Sequence, residues 1–474
     1  MLFPTIDFAI FFAVAFTANW LLNPFPRTWK LAMVALSYVF YSWWDWRFVF
    51  LLAAVTITAQ VGATAVQRFE DERHRRVAMV STVAALLGLL GWFKYYGFVA
   101  VNVDNFFHTL GSGRLLPLLE VTLPVGISFF TFMALSYVID VYRRKLQPAH
   151  FLDVAVYLSF FPHLIAGPIV RGEELLPQIR RKRDPAAIDF GRAAWLVAGG
   201  LFKKVVISSY VDSAIVTPVF SAPHQHSALE ILFGIYGFAV QIYADFSGYT
   251  DIAIGLAMFL GFRFPDNFDA PYTARNLQDF WRRWHMTLSR WLRDYLYIPL
   301  GGGRGSRLTV ARNIMITMVL GGLWHGAAWT FVVWGAIHGS GQVVGHLRRS
   351  NRAAAGLDPV PDGGVRVWVQ RIVTFHIVCL GWVFFRADSF STATTLIGRL
   401  FSAWGRAPLV TPLVVITVVG AVALQYLPKA LGGRAQREFA GQPWVVQGAI
   451  LGVVLLVITT LGPQGVAPFI YYKF

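Results

Sequence analysis

The 474 residues are 56% hydrophobic and only 14% charged, with a mean hydropathy of +0.54, a balance that excludes a water-soluble globular domain and points to a chain folded in a bilayer. The net charge of +16 does not signal a nucleic-acid partner, because Lys and Arg sit in short clusters between apolar runs, the pattern that reports membrane topology. The single cysteine, Cys379, lies in an apolar run and excludes both an internal disulfide and a cysteine metal cluster.

A bilayer crossing needs about 20 apolar residues. Residues 3–22 carry Asp7 and no basic leader, so they read as a first span and not as a removable signal peptide. Spans at 31–44, 49–66 and 77–93 follow, joined by loops holding Asn, Pro, Arg and Asp. Trp43, Trp44, Trp46, Tyr95 and Tyr96 have the placing of interfacial aromatic belts. The stretch 99–119, with Asp104, His108 and Gly111, is expected outside and partly helical, and 123–142 returns across the membrane. In 154–172, Pro162, Gly167 and Pro168 break any single long helix, which predicts a re-entrant or half-spanning element, with a kinked packing helix as the alternative. A span over 193–219 leads to an outer loop, 221–227, whose His224 and His226, at i, i+2 spacing, make a poor metal site and read as solvated rather than metal-binding. The next span, 229–260, holds Asp245 and Asp251 among apolar residues. Buried carboxylates need partners; the sequence offers the arginines of the following helix or backbone donors around Gly248, and pairing and catalysis both stay open.

The densest chemistry lies in 274–339. Leu277, Trp281, Trp284, Leu288, Trp291, Tyr295 and Ile298 recur at helical spacing, while Asp279, Arg282, Arg283, Arg290, Arg293 and Asp294 fall mostly on the other side. This pattern predicts an amphipathic helix along the membrane surface, with His285 at the border of its apolar face. The glycines at 301–303 and 305 lack a Gly-Lys-Ser/Thr ending and a preceding strand, so they read as a turn and not as a phosphate cradle. Residues 313–348 are too long for one span and basic at both flanks, so two spans should meet near 321–328, with His325 toward the membrane interior or its outer half. An ionisable residue so placed is costly, about 3 kcal/mol for the clearly charged types, and a functional role is the default reading. His325 is the expected reactive centre and His285 its helper; His338 is expected to pack against or bond a neighbouring helix. Spans at 367–385, 409–425 and 445–461 complete the chain, with a connector at 353–364 and an amphipathic outer element at 386–406. The basic clusters at 23–30, 68–76, 143–145, 171–183, 263–312, 348–352 and 429–437 are assigned to the cytoplasm, which puts the N-terminus outside and Lys473 at an outer C-terminus.

Histidine takes and returns a proton near neutral pH. No GxSxG elbow or triad pattern supports a serine hydrolase, and no HExxH or ligand cluster supports a metal site. What remains is a base that deprotonates a hydroxyl so that it attacks an activated acyl group. A reading from another class is a non-enzymatic carrier or export protein for a polysaccharide or lipid-linked sugar. It accounts for the broken segment and the buried carboxylates, but not for two histidines each beside a tryptophan, and no inverted repeat is visible.

Six motifs resemble the membrane-bound O-acyltransferases: LPVGISFF (123–130), FFPHLIAGPIVR (160–171), DFSGYTDIAIG (245–255), NFDAPYTARNLQDFWRRWHMTLSRWLRDYLYIPLGG (267–302), GGLWHGAAWTF (321–331) and FFRADSF (384–390). Within that superfamily they look most like the bacterial alginate O-acetyltransferase branch; related members acetylate cellulose or peptidoglycan, and a more distant branch D-alanylates teichoic acid. The resemblance implies an all-α, polytopic membrane protein of roughly eleven or twelve transmembrane or re-entrant helices around a central funnel or tunnel. It implies one domain over 1–474, with N-terminal spans at 1–122, a catalytic core at 123–346 and C-terminal spans at 347–474, in the bacterial cytoplasmic membrane. His325 would be the catalytic histidine and His285 the second histidine of the site. Trp324, Trp284, Arg282, Arg283, Asp245 and Asp251 are the expected substrate-binding residues. Arg290 and Arg293, with Arg282 and Arg283, would draw the phosphates of a cytoplasmic acetyl-CoA donor, with anchoring to anionic lipid headgroups as the alternative. No bound cofactor and no metal are expected. The acceptor would be an external hydroxyl on a polysaccharide or on a separate periplasmic acetyltransferase.

Overall fold

Helices joined by turns and short loops carry the described backbone, with no strand among the described residues. The computed structural model describes residues 1–111, 116, 117, 119, 121–357, 363–462 and 470; Lys473 and part of the connector 353–364 fall outside these. Among the described residues six helices are long and apolar enough to cross a membrane: Phe48–Arg68, Glu72–Thr109, Phe190–Ser221, Ala228–Phe259, Gly364–Arg386 and Trp444–Leu461. Pro412–Tyr426 with Lys429–Ala440, bent by 94°, makes a seventh if counted as one span, and Ile6–Leu21 and Ile127–Tyr142 are shorter apolar helices. The chain is an all-α, multi-pass membrane protein. The exterior stretch expected at 99–119 is in part the continuation of Glu72–Thr109, a 38-residue helix roughly 57 Å long, which exceeds a hydrocarbon core of about 30 Å.

The chain divides into two compact units. The first comprises Met1–Ala193 and Ala253–Pro265. Its helices approach closely at small residues: a Cβ on Gly62 would lie 2.2 Å from Thr82 Oγ1, and one on Gly126 would lie 2.6 Å from the Leu164 carbonyl oxygen. Gly126 has φ +78°, so LPVG is both the N-cap of Ile127–Tyr142 and the seat of the segment FFPHLIAGP. That segment breaks as its prolines predict: a helix at Phe151–Ser159, a single turn at Phe161–Leu164, and a new helix at Gly172–Arg180, none long enough to cross a bilayer. Its His163 is fully buried, with Nε2 2.9 Å from the Tyr157 carbonyl oxygen and its ring stacked 5.2 Å from Phe264. Asn19, also buried, accepts from Trp29 Nε1 at 2.9 Å and donates to the Leu260 carbonyl at 3.3 Å.

The second unit comprises Ala194–Ile252 and Asp266–Phe474. Its centre is a hairpin of Arg307–His325 and Trp329–Ala354, turning at 326–328 within the interval expected from the sequence. The two helices touch through glycines: a Cβ on Gly322 would lie 2.2 Å from the Phe331 carbonyl oxygen, and one on Gly335 2.5 Å from that of Met318.

Candidate active site

His325 is the last residue of its helix and is 3% exposed. Three aromatic rings surround its imidazole nearly edge to face: Trp324 at 4.9 Å, Trp334 at 5.0 Å and Phe385 at 5.2 Å. The turn that follows fits only because position 326 is glycine, since a Cβ there would lie 2.0 Å from Cε2 of Phe331. Phe331 itself packs on Phe385, 5.0 Å away. The Trp-His-Gly motif thus presents the ring through Trp and clears the turn through Gly.

The amphipathic pattern of 277–298 does not form one helix. It divides into Leu277–Trp281 and Met286–Leu292, followed by a π turn at Arg293–Tyr297. The break falls at His285, whose backbone is left-handed at φ +42°. For a side chain with a Cβ that conformation carries strain, and such strain concentrates at functional sites. The turn is held by a buried residue the sequence reading did not single out. The Asn267 carbonyl accepts from the Met286 amide at 2.9 Å, and its Oδ1 accepts from the Thr287 amide at 3.1 Å and hydroxyl at 2.9 Å. Most of the apolar face is covered by protein: Trp281, Trp284, Leu288, Trp291 and Tyr295 are all buried, while Ile298 at its end is exposed. Gly341 makes room for this docking, since a Cβ there would lie 2.3 Å from Leu277 Cδ1.

His285 is fully buried, its ring 4.6 Å from Phe246 and 5.9 Å from Trp324. One indole therefore touches both expected histidines. Burial lowers the His285 pKa from its ordinary 6.5 to about 3, so the ring is neutral at physiological pH. Trp284 belongs to the adjoining aromatic wall, 5.0 Å from Trp382 and stacked 5.6 Å from Phe280. His338 bonds a neighbouring helix, as expected: Trp281 Nε1 donates to its Nδ1 at 3.3 Å.

The carboxylates in the span have partners other than those the sequence suggested. Asp245 is paired with Lys204 and accepts from the Ile470 amide at 2.9 Å; Asp251 is paired with Lys203, which also donates to Ser247 at 3.1 Å. Both lysines lie on a π-helical stretch, Phe202–Ser208, of the Phe190–Ser221 helix, which also passes Gly248 so closely that a Cβ on Gly200 would lie 2.6 Å from its carbonyl oxygen. The surface arginines take no part in these pairs. Arg283 bonds Asp279 at 2.8 Å and Arg293 bonds Asp294 at 2.7 Å. Arg282 forms no ion pair among the described residues, and Arg349, which also has none, has a pKa lowered first by burial and then by the charge of Arg282. Arg349 was not among the expected site residues. Among the described residues no group of three or more His, Cys, Asp or Glu side chains is placed to hold a metal ion.

The family model described as membrane-bound O-acyltransferase matches residues 89–357, more than half of the chain. The chain belongs to the membrane-bound O-acyltransferase family. A probable alginate O-acetylase of Pseudomonas aeruginosa is 37% identical, over 94% of this chain and 83% of that protein. A peptidoglycan O-acetyltransferase of Helicobacter pylori is 35% identical over 78% and 73%. A teichoic acid D-alanyltransferase of Streptococcus thermophilus is 28% identical over 55% and 68%. The chain is thus an acyltransferase rather than a carrier, and its family match covers both histidines.

Proposed function

We propose that the protein moves an acetyl group from cytoplasmic acetyl-CoA to a hydroxyl on the far side of a bacterial cytoplasmic membrane, for O-acetylation of an alginate-like exopolysaccharide or a cell-wall polymer. The observation that carries this reading is the pair of buried histidines on one indole, His325 and His285 at 4.9 and 5.9 Å from Trp324. The names of the relatives support acetyl as the group and a polymer as its destination.

His325 acts as general base. Its imidazole takes the proton of the acceptor hydroxyl, and the oxygen attacks the thioester carbonyl. The C–S bond breaks as the ester C–O bond is completed, and the proton passes from the imidazolium to the leaving thiolate, returning His325 to neutrality. The aromatic rings fix the imidazole and keep the site dry, which strengthens every charge interaction in the transition state. His285, held neutral by burial, orients the reacting groups by hydrogen bonding and carries no charge of its own. Trp284 and Trp324 line the substrate. Asp245 and Asp251, each paired with a lysine, brace the substrate-bearing span. For the phosphates of CoA, Arg282 and Arg349, which form no ion pair among the described residues, are more available than Arg283 or Arg293, which already hold carboxylates; Arg290 completes the basic side. Only the acyl group crosses, since CoA is too polar to follow. The acceptor is an external polymer or a separate periplasmic acetyltransferase that passes the group on.

Acetyl transfer from radiolabelled acetyl-CoA to an external acceptor tests this reading. Substituting His325→Ala in correctly inserted protein should lower turnover by about 10²- to 10⁴-fold, the usual contribution of a general base. Near wild-type turnover would remove His325 from the mechanism.

A further inference from the structure

A second site lies wholly within the first unit. A cavity of about 610 Å³ is walled by residues 178–192 and 254–264. Five cations line it: Arg181, Lys182, Arg183, Arg192 and Arg263. None forms an ion pair among the described residues. The two carboxylates in the wall are turned to the backbone: Asp184 accepts from the Ala186 amide at 3.0 Å and Asp189 from the Arg192 amide at 2.8 Å. Five cations against these two carboxylates leave the wall with a net positive charge, which favours a bound anion.

The wall is built to hold this charge in place. Arg183 lies over the Trp29 ring at 3.9 Å and near Phe262 at 5.2 Å, and its Nε is buried without a hydrogen-bond partner. Burial lowers its pKa to about 10, which leaves it charged. Its backbone is clamped by Asn23, which donates to the Arg183 carbonyl at 2.9 Å and accepts from its amide at 3.4 Å. Gln178 clamps Arg263 in the same two-way manner, at 3.0 and 2.8 Å. Gly261, at φ +86°, brings the chain so near that a Cβ would lie 3.0 Å from Arg183 Cδ. Beneath the cations the floor is apolar, made by Ile254, Met258, Phe262 and Phe264.

We propose that this cavity binds a phosphate ester carrying an apolar or aromatic body, the phosphate held by the guanidinium groups and the body resting on the floor. Two sources share this chemistry: the headgroup of an anionic phospholipid, and the nucleotide end of CoA. The lipid arm stands whether or not the acetyl-CoA reading is right, and only the CoA arm rests on it.

The test uses the purified full-length protein in neutral detergent, followed by thermal unfolding and native mass spectrometry. The probes are phosphatidylglycerol, CoA, and a galactosyl diglyceride that has chains but no phosphate. Phosphatidylglycerol or CoA should raise the melting temperature and add a saturable adduct, and the galactolipid should not. The double substitution Arg192→Gln/Arg263→Gln, at exposed side chains, should leave the unliganded melt unchanged and weaken binding about tenfold or more. Arg183→Gln should weaken binding likewise from the buried side of the site, with a lower unliganded melt because its packing on Trp29 is lost. The proposal is overturned if neither probe exceeds the galactolipid, or if binding survives in both variants. A CoA shift that persists in the double variant belongs to the Arg282–Arg349 pair and counts against this cavity.

Discussion

Asn267 sits 18 residues before His285 in the chain and holds the backbone that gives His285 its left-handed turn, accepting three hydrogen bonds from Met286 and Thr287. Asn267→Ala strips the acceptor from the buried Thr287 amide and hydroxyl, which costs about 1–3 kcal/mol of stability and lets His285 drift. The expected outcome is a fall in kcat with little change in KM for the donor, together with a lower melting temperature; equal kcat in a folded variant would show that the turn does not position the reaction. The pH response of His285 follows from its burial. Its folded pKa of about 3 lies below the ordinary 6.5, so between those values the unfolded chain binds the extra proton. Stability from this group is complete above about pH 6.5 and is lost as the pH falls toward 3. His285→Gln should therefore flatten part of the acid limb of a melting-temperature profile. His325 was legible as an ionisable group beside tryptophan in an apolar run, and His285 as one beside tryptophan at the border of an amphipathic face. Lys203 and Lys204 were not, because two charges in a long apolar run barely alter its span signal. Asp245 and Asp251 were the available clue, since two carboxylates in one span call for two cations in its neighbour.

Glycines decide how the helices that carry the site approach. In the hairpin, Gly326 cannot gain a methyl without displacing Phe331, which is wedged against Phe385 beside His325. Gly326→Ala should cost about 1–3 kcal/mol and should lower acyl transfer further than that loss of stability explains, because the ring it moves abuts the His325 cage. Gly199→Ala is the control. Nothing lies within 4 Å of its Cβ position and it sits inside a helix, so the change should stabilise by about 0.5–1 kcal/mol and leave turnover intact. Thermal melts and acyl-transfer rates on the two variants separate packing at the site from helix propensity. At this scale the sequence was most informative about spans and least about breaks. Apolar runs mark bilayer crossings directly, and prolines announced the break at 160. The break at His285 had no such signal: the steps of three and four run on across it, and neither Gly nor Pro stands between 282 and 285.

For an acyl group to pass from a cytoplasmic donor to an external acceptor, the loops on either side of the site must face opposite compartments. On the proposed topology the basic stretches 171–183 and 263–312 are cytoplasmic and 221–227 is outside. The chain suits a direct test, because its one cysteine, Cys379, is buried and contributes little background. His224 and Arg304 are exposed, so cysteines substituted there, His224→Cys and Arg304→Cys, present reactive thiols on the two loops. A membrane-impermeant maleimide should label position 224 and not 304 in spheroplasts, and 304 and not 224 in inverted vesicles. Labelling of both from one side would place both loops in one compartment. A single accessible face would then have to admit donor and acceptor together, and handover of an acyl group across the membrane would lose its physical basis even if His325 proved essential.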